Sequence, residues 1–357
     1  MDRRCTPEGI DAPWLNEVFT TSGIAQGATV TAVEFLGFIG TGQTGSNGRF
    51  ALTWDDPTGR PASLVAKFPS SDPDARVTAF SNGSYLREWN FYANIADTVA
   101  MRTPRVHASH FDADGQHFVL LMDDIVGAEQ GDQIAGLTLD DAALAVAEAV
   151  QLHAPRWADP ALSMLLGGGL SMEERSFGLG MAYAATRDGF LARLGHRLDT
   201  DVVQFVHDLT PLVPAWVQGL GAPNTVVHMD YRPDNVMFGR QPGAAPIVVV
   251  DWQTVSDGPA LTDVAYLLGG SFEPARRAEV EHDLVEMYQQ GLVASGVDYT
   301  FDECWRDYRF GAVWGVVMTV IATMYAAETE RGNDMLVAMA NRHGHHALDL
   351  DAMELLR

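Results

Sequence analysis

The chain has 357 residues, enough for two domains or one bilobal unit around a large core. Its net charge is −24, from 47 acidic and 23 basic residues, and 47% of it is apolar, which excludes global disorder and makes general nucleic-acid binding or adhesion to an anionic membrane unfavourable. A cationic substrate would be attracted, but the plainer reading of the acidity is solubility or a salt-tolerant host.

The N-terminal "MDRRCTPEGIDAPW" lacks an apolar run, so no signal peptide is expected. Cys5 and Cys304 lie far apart without metal-ligand spacing, which fits a reducing cytoplasm with neither a disulfide framework nor a zinc site. The first elements are β-rich: "TAVEFLGFI", then a Gly-rich loop "GTGQTGSNG" at 40–48, then "RFALTW", a turn "DDPTGRP" and a third strand "SLVAKF". A helix is predicted over Tyr85 to Ala96, with Tyr85, Trp89, Tyr92 and Ala96 on one face and Glu88 at its edge. "HFVLLMDDI", 117–125, reads as a buried strand running into two aspartates. Acidic residues open the helical "LDDAALAVAEAVQLH", and helices dominate 138–220. Next come the polar loop in "VVHMDYRPDNVMF", the strand "IVVVDW", and helices from about Asp263 onward. The stretch "FGAVWGVVMTVIATMYAA", 310–327, is uncharged over about one membrane-spanning length but only moderately apolar, and reads as buried helix rather than a span. The layout is α+β and bilobal: an N-lobe over 1–122, a hinge over 123–126 and a helical C-lobe over 127–357.

The polar loop carries chemistry. His228, Asp230 and Asn235 have the His-x-Asp-x-x-x-x-Asn spacing of a kinase catalytic loop. Asp230 can accept a hydroxyl proton, and Asn235 can offer a carbonyl oxygen to Mg²⁺. Asp251 ends a buried strand, where a carboxylate can chelate Mg²⁺ on nucleotide phosphates. Lys67 sits in an apolar strand, which is costly unless it is paired, and Glu88 is a ready partner. In the Gly-rich loop, Gly40, Gly42 and Gly45 let the backbone approach phosphates, with Thr44 and Ser46 as further donors. Each feature has a bland alternative: a polar turn, an edge-strand lysine, a simple Gly-rich hairpin. Their order along one chain points to a kinase-like phosphotransferase, because phosphoryl transfer needs mainly positioning and charge neutralisation.

With these residues the chain resembles the aminoglycoside phosphotransferase/choline kinase superfamily, and within it the ecdysteroid-kinase-like (CHK-kinase-like) branch. The closer likeness rests on "SLVAKFPSSDP", "YLREWNFYANIA", "FVLLMDDI", "GDQIAGLT", "LHAPRW", "VVHMDYRPDNVMF" and "VVDWQ", spanning about 35–265. The resemblance implies a protein-kinase-like fold, a small β-rich N-lobe with one key helix joined to a large helical C-lobe, with ATP in the cleft and adenine against the hinge backbone at Met122, Asp123 and Asp124. It implies that Lys67 contacts the α- and β-phosphates, that Glu88 orients Lys67, and that Asp230 is the catalytic base. Asn235 and Asp251 would hold Mg²⁺, Asp263 would brace the catalytic loop, and His228 would fix its geometry. No "APE" follows Asp251, which argues against a protein kinase.

The function expected is transfer of the γ-phosphate of ATP to a hydroxyl of a small molecule, with no nucleic-acid partner and no membrane span. Trp157, Met172, Phe177, Met181, Tyr183, Trp314, Met318 and Tyr325 are candidates for an apolar pocket taking a sterol- or lipid-like alcohol, against plain core packing. A polycationic acceptor such as an aminoglycoside would instead need carboxylates gathered beside Asp230, with Asp257, Asp263, Glu273 and Glu328 as candidates. A nucleotide-binding module without catalysis need not keep Asp230. His153, on the apolar stripe of its helix with Ala143, Val146 and Val150, reads as a satisfied core histidine.

Overall fold

Alternation of apolar and polar residues at the front of the chain builds an antiparallel sheet. In this computed structural model, which describes residues 5–40, 45–166, 171–221, 223–324 and 328–356, the strands are β1 (Val30–Ile39), β2 (Gly45–Trp54), β3 (Ser63–Pro69), β4 (Val106–Asp112) and β5 (His117–Asp123). They pair in the order β1-β2-β3-β5-β4. The central strand β3 is covered on both faces. Leu64, Ala66 and Phe68 enter one apolar cluster with Phe19, Phe50 and Leu121, while Val65 enters another with Tyr85, Phe118 and Leu120. Because side chains alternate along a strand, Lys67 shares the face of Val65, toward the Ser84–Asn90 helix.

Two expectations change here. The second half of the expected 40–48 loop is strand: Gly45, Ser46, Asn47 and Gly48 pair with Pro69, Phe68, Lys67 and Ala66. Gly45 and Gly48 answer to packing, since a Cβ on Gly45 would stand 3.1 Å from Lys67 Cε and one on Gly48 would press on Phe35, Phe50 and Phe68. The helix predicted over 85–96 is α-helical only over Ser84–Asn90 and then widens into a π turn over Phe91–Ile95. Its buried face is Tyr85, Glu88, Phe91 and Ile95, so Glu88 is central to that face, not at its edge. The wider turn carries Phe91 onto Trp252, ring on ring at 3.7 Å and 5°. The Ala12–Ser22 and Pro73–Ser81 helices and strand β4 were not anticipated from the sequence.

The chain divides into two compact units. The first comprises Met1–Ala96, Thr103–Gly127 and Val250–Thr254, so the Asp251 segment belongs to the sheet-bearing unit. The second comprises Asp97–Arg102, Ala128–Val249 and Val255–Arg357. It holds β6 (Ala128–Gln130), β7 (Asn224–Val227), β8 (Val236–Gly239), β9 (Ile247–Val249) and β10 (Ser256–Pro259), arranged as β6-β8-β9 and β10-β7. The helix Leu139–His153 begins where foreseen, with the Thr138 side chain accepting from the Asp141 N–H. Every residue of the Leu261–Ser271 helix is buried, and Leu139–His153, Phe301–Gly311, Val313–Ala322 and Glu330–Asp349 pack against it. Of the apolar stretch at 310–327, the first residues end the Phe301–Gly311 helix, the middle forms Val313–Ala322 and 325–327 lie outside the described residues; among the described residues no helix is long and apolar enough to cross a membrane.

Candidate functional site

In the sheet-bearing unit the charged centre is built on Lys67. Its Nζ lies 2.8 Å from Glu88 Oε1, 2.7 Å from Glu88 Oε2 and 2.9 Å from Asp251 Oδ1, with Lys67 and Glu88 only 6% and 1% exposed. Burial alone would push the ammonium toward neutrality, but Asp251 and Glu88 outweigh it and hold its pKa above the ordinary lysine value. Burial, and then the Asp251 charge, raise the Glu88 carboxyl, with Lys67 opposing them. The helix bearing Glu88 is anchored by Tyr85, whose hydroxyl accepts from the Ser70 N–H at 2.9 Å. Asp251 has φ +67°, an uncommon conformation for a residue with a side chain. Its segment is pinned by the Phe91–Trp252 stack and by Arg87 Nε, which donates to the Gln253 carbonyl at 3.1 Å. Sequence reading missed Arg87, Phe91 and Trp252, because only the fold shows that a helix clasps the strand end.

Near the end of β5, Met122 is buried, the Asp123 carboxylate meets His107 Nε2 at 2.7 Å, and Asp124 accepts from Arg49 at 2.9 Å and Ser63 at 2.7 Å. Both aspartate side chains are thus engaged within the sheet. The strand itself stops at Asp123, short of the predicted 125. Gly40 has φ +75°, Gly45 and Ser46 lie in β2, and Gly42 and Thr44 lie outside the described residues.

In the helical unit the second centre is the loop between β7 and β8. Asp263, fully buried in the Leu261–Ser271 helix, accepts from the His228 N–H at 2.6 Å and the Met229 N–H at 2.8 Å. His153 Nε2 stands 3.3 Å from the same carboxylate, and His153 Nδ1 is 2.7 Å from the Tyr288 hydroxyl. His153 is therefore a satisfied core histidine, and one of its partners is Asp263. Met229 has φ +66°, and its carbonyl accepts from Trp314 Nε1 at 2.9 Å. The Asp230 N–H faces His228 Nδ1 at 3.3 Å. Asn235 Nδ2 donates to the Asp230 carbonyl at 2.9 Å and to Asp230 Oδ2 at 2.8 Å, which leaves its Oδ1 as the ligand atom it could offer a cation. Arg232, unremarked from sequence, bridges Asp230 at 3.2 Å and Asp234 at 2.7 Å. Burial opposes its charge, but the two aspartates hold its pKa above the ordinary arginine value.

The acceptor candidates separate. On the Met172–Leu194 helix Met172, Phe177 and Met181 are 40%, 69% and 57% exposed. Tyr183 is fully buried and donates to the Val206 carbonyl, Trp157 packs on Tyr299, and Tyr325 lies outside the described residues. Of the carboxylates a polycation would need, Asp257 is paired with Arg175 at 2.6 Å, Glu273 with Arg342 at 2.6 Å, and Asp263 accepts from the loop backbone.

An antiparallel sheet carrying a Lys–Glu pair, with a helical region presenting a His-x-Asp-x-x-x-x-Asn loop, defines a kinase-like phosphotransferase fold. The pattern of the phosphotransferase enzyme family (APH) matches residues 42–299, and the chain belongs to that family as a small-molecule phosphotransferase. No curated protein matches it in sequence. Among solved structures it is similar to an aminoglycoside 2'-phosphotransferase in its GDP complex, at 14% identity over 93% of this chain and 98% of that one, with a TM-score of 0.53. It is also similar to choline kinase from Cryptosporidium parvum, at 11% identity over 90% and 89% of the two chains with a TM-score of 0.54. A microcompartment-associated aminopropanol kinase aligns at 15% identity over 90% and 94%, TM-score 0.54. At these identities the likeness establishes the shared fold.

Proposed function

We propose that the protein transfers the γ-phosphate of ATP to a hydroxyl of a small, largely apolar alcohol, sterol- or lipid-like, within the ecdysteroid-kinase-like branch, its chain comprising an N-lobe over 1–122, a hinge over 123–126 and a C-lobe over 127–357. The observation that carries this reading is the loop geometry. Asp263 holds the loop by two backbone N–H groups, and Asn235 holds Asp230 by a hydrogen bond to its carboxylate. Such preorganisation suits a base that must meet a hydroxyl in one orientation.

Asp230 is the proposed proton acceptor, with His228 keeping the loop in shape. Lys67, kept charged and oriented by Glu88, is the proposed partner of the nucleotide phosphates. Asn235 and Asp251 are the proposed ligands of Mg²⁺, and their carbonyl and carboxylate oxygens are the hard donors such an ion takes. When bound, the ion neutralises phosphate charge. The apolar acceptor is supported by the exposed Phe177 and Met181, and by the pairing of Asp257 and Glu273 with arginines, which discounts them as partners for a polycation.

The test is a melting-temperature screen with ATP and Mg²⁺, followed by ADP release with aminoglycosides, sterols and short hydroxy compounds. Stabilisation by nucleotide and turnover with a sterol or lipid alcohol are expected, with Asp230→Ala still stabilised by nucleotide but without turnover. Turnover only with aminoglycosides would overturn the acceptor class. No nucleotide stabilisation and no ADP release would overturn the proposal and leave a non-catalytic protein.

A further inference from the structure

The stretch "GDQIAGLT", 131–138, turns back on itself against the loop that carries Asp230. The Asp132 carboxylate accepts from the Ile134 and Ala135 N–H groups at 2.8 and 3.0 Å and closes the turn. Gly131 donates its N–H to the Val236 carbonyl at 2.9 Å, and a Cβ there would stand 2.5 Å from the Pro233 oxygen, so glycine is what lets the two backbones come this close. The other side of the turn is held as well. Gln133, 1% exposed, donates from Nε2 to the Gly270 carbonyl at 3.0 Å, and Arg342 donates to the Gln133 and Ile134 carbonyls at 2.9 Å each. Held in this way, the Gln133 N–H donates to Asp234 Oδ1 at 2.8 Å. The second oxygen, Asp234 Oδ2, accepts from Arg232 Nη1 at 2.7 Å. Arg232 Nε in turn sits astride the Asp230 carboxylate, 3.2 Å from Oδ1 and 3.3 Å from Oδ2. A guanidinium is a rigid planar fork, so fixing Nη1 also fixes where Nε points.

We propose that Asp234 is a positioning residue for the phosphoryl transfer: braced by the Gln133 N–H, it holds the Arg232 guanidinium in one orientation, and Arg232 thereby fixes the carboxylate of Asp230. Asp263 ties the loop ahead of the base, at His228 and Met229, and Asp234 ties it beyond the base. The inference rests on the reading of Asp230 as the base, and the test separates the two.

Wild type, Asp234→Asn, Arg232→Met, the double variant and Asp230→Ala are compared by ADP release with ATP·Mg²⁺ and the acceptor panel, by KM for ATP, and by melting temperature. Asp234→Asn keeps an oxygen for the Gln133 N–H and removes the charge that holds Arg232. Arg232→Met cuts the same link from its other end and leaves the Gln133 tie in place, so it reads the link even where the asparagine variant folds poorly. Loss of one charge-assisted hydrogen bond is expected to lower kcat roughly ten-fold in each single variant, with KM for ATP within about two-fold of wild type. The double variant is expected to be no slower than Arg232→Met, because Asp234 acts through that guanidinium. A tie that served only the fold would lower the melting temperature and leave kcat per folded enzyme unchanged. A kcat for either single variant within about two-fold of wild type, a loss confined to KM, or a double variant showing the product of the two single losses would overturn the inference while leaving the base in place. Equal activity of Asp230→Ala and wild type, or no ADP release by wild type with any acceptor, would remove the base reading and the inference with it.

Discussion

Asp263 holds the backbone of the proposed catalytic loop at His228 and Met229, and its removal has a magnitude that follows from the structure. The carboxylate is fully buried and accepts two backbone N–H groups, at 2.6 and 2.8 Å. Asp263→Ala strands both donors. A buried donor without a partner costs about 1–3 kcal/mol, so the pair amounts to roughly 2–6 kcal/mol. In a domain of 150–250 residues each kcal/mol moves the melting temperature by about 2–4 °C, so a fall of at least about 4 °C is expected. Asp263→Asn keeps one acceptor oxygen and also removes the cost of burying a charge, so it should lose less than alanine does. Both variants should lose turnover, because His228 and Met229 are no longer tied down and Asp230 follows them in the chain. Thermal unfolding by circular dichroism, alongside ADP release, measures both effects. An Asp263→Ala melting temperature within 1 °C of wild type, or an asparagine variant less stable than the alanine one, would refute the reasoning.

Lys67→Met leaves Glu88 buried beside Asp251 without a cation, so it should cost several kcal/mol as well as turnover; adding Glu88→Gln should restore much of the stability and none of the activity, read by denaturant midpoint and ADP release. His343 and His346 are buried, and burial first, then neighbouring positive charge at His343 and Arg277 at His346, hold both pKa values below the ordinary histidine value. The unfolded chain therefore binds protons that the folded one does not, and stability should fall as pH drops below about 6.5, by up to about 1.4 kcal/mol per pH unit for each histidine. A melting temperature flat from pH 7 to 5 would contradict this. Gly315→Ala should destabilise by about 1–3 kcal/mol through overpacking against His343, whereas Gly178→Ala, with nothing within 4 Å of the new methyl, should be neutral or mildly stabilising. Phe177→Ser with Met181→Ser should raise KM for an apolar acceptor and leave KM for ATP unchanged, as steady-state kinetics would show.

Much of this protein is written in short range. The apolar runs in "SLVAKF" and "HFVLLMD" were enough to place β3 and β5, since a strand buried on both faces needs a continuous apolar run. The acidic first turn marked the start of Leu139–His153, and the structure adds the Thr138 cap. Lys67 was conspicuous because a lysine in an apolar strand demands a partner, and Glu88, expected as that partner, is one of the two carboxylates it meets. The spacing of His228, Asp230 and Asn235 was legible because a loop that must hold its own residues together does so over a few positions.

Other features answer to distance across the fold. Gly45 and Gly48 were taken for loop, but cross-strand partners and phenylalanine rings make them strand. Periodicity placed Glu88 at the edge of its helix; the burial of Phe91 against Trp252, from a segment some 160 positions along, sets the π turn and centres Glu88. Arg232 gave no signal, because what distinguishes it is the pair of carboxylates it touches and not a pattern it belongs to. Sequence by itself determined which residue types the chemistry needs and the local elements that carry them, because propensity, capping and loop spacing act within a few residues. Only the tertiary structure decided which side chains hold those residues still, because a hydrogen bond or a ring stack joins whatever the fold brings within a few ångströms, however far apart along the chain.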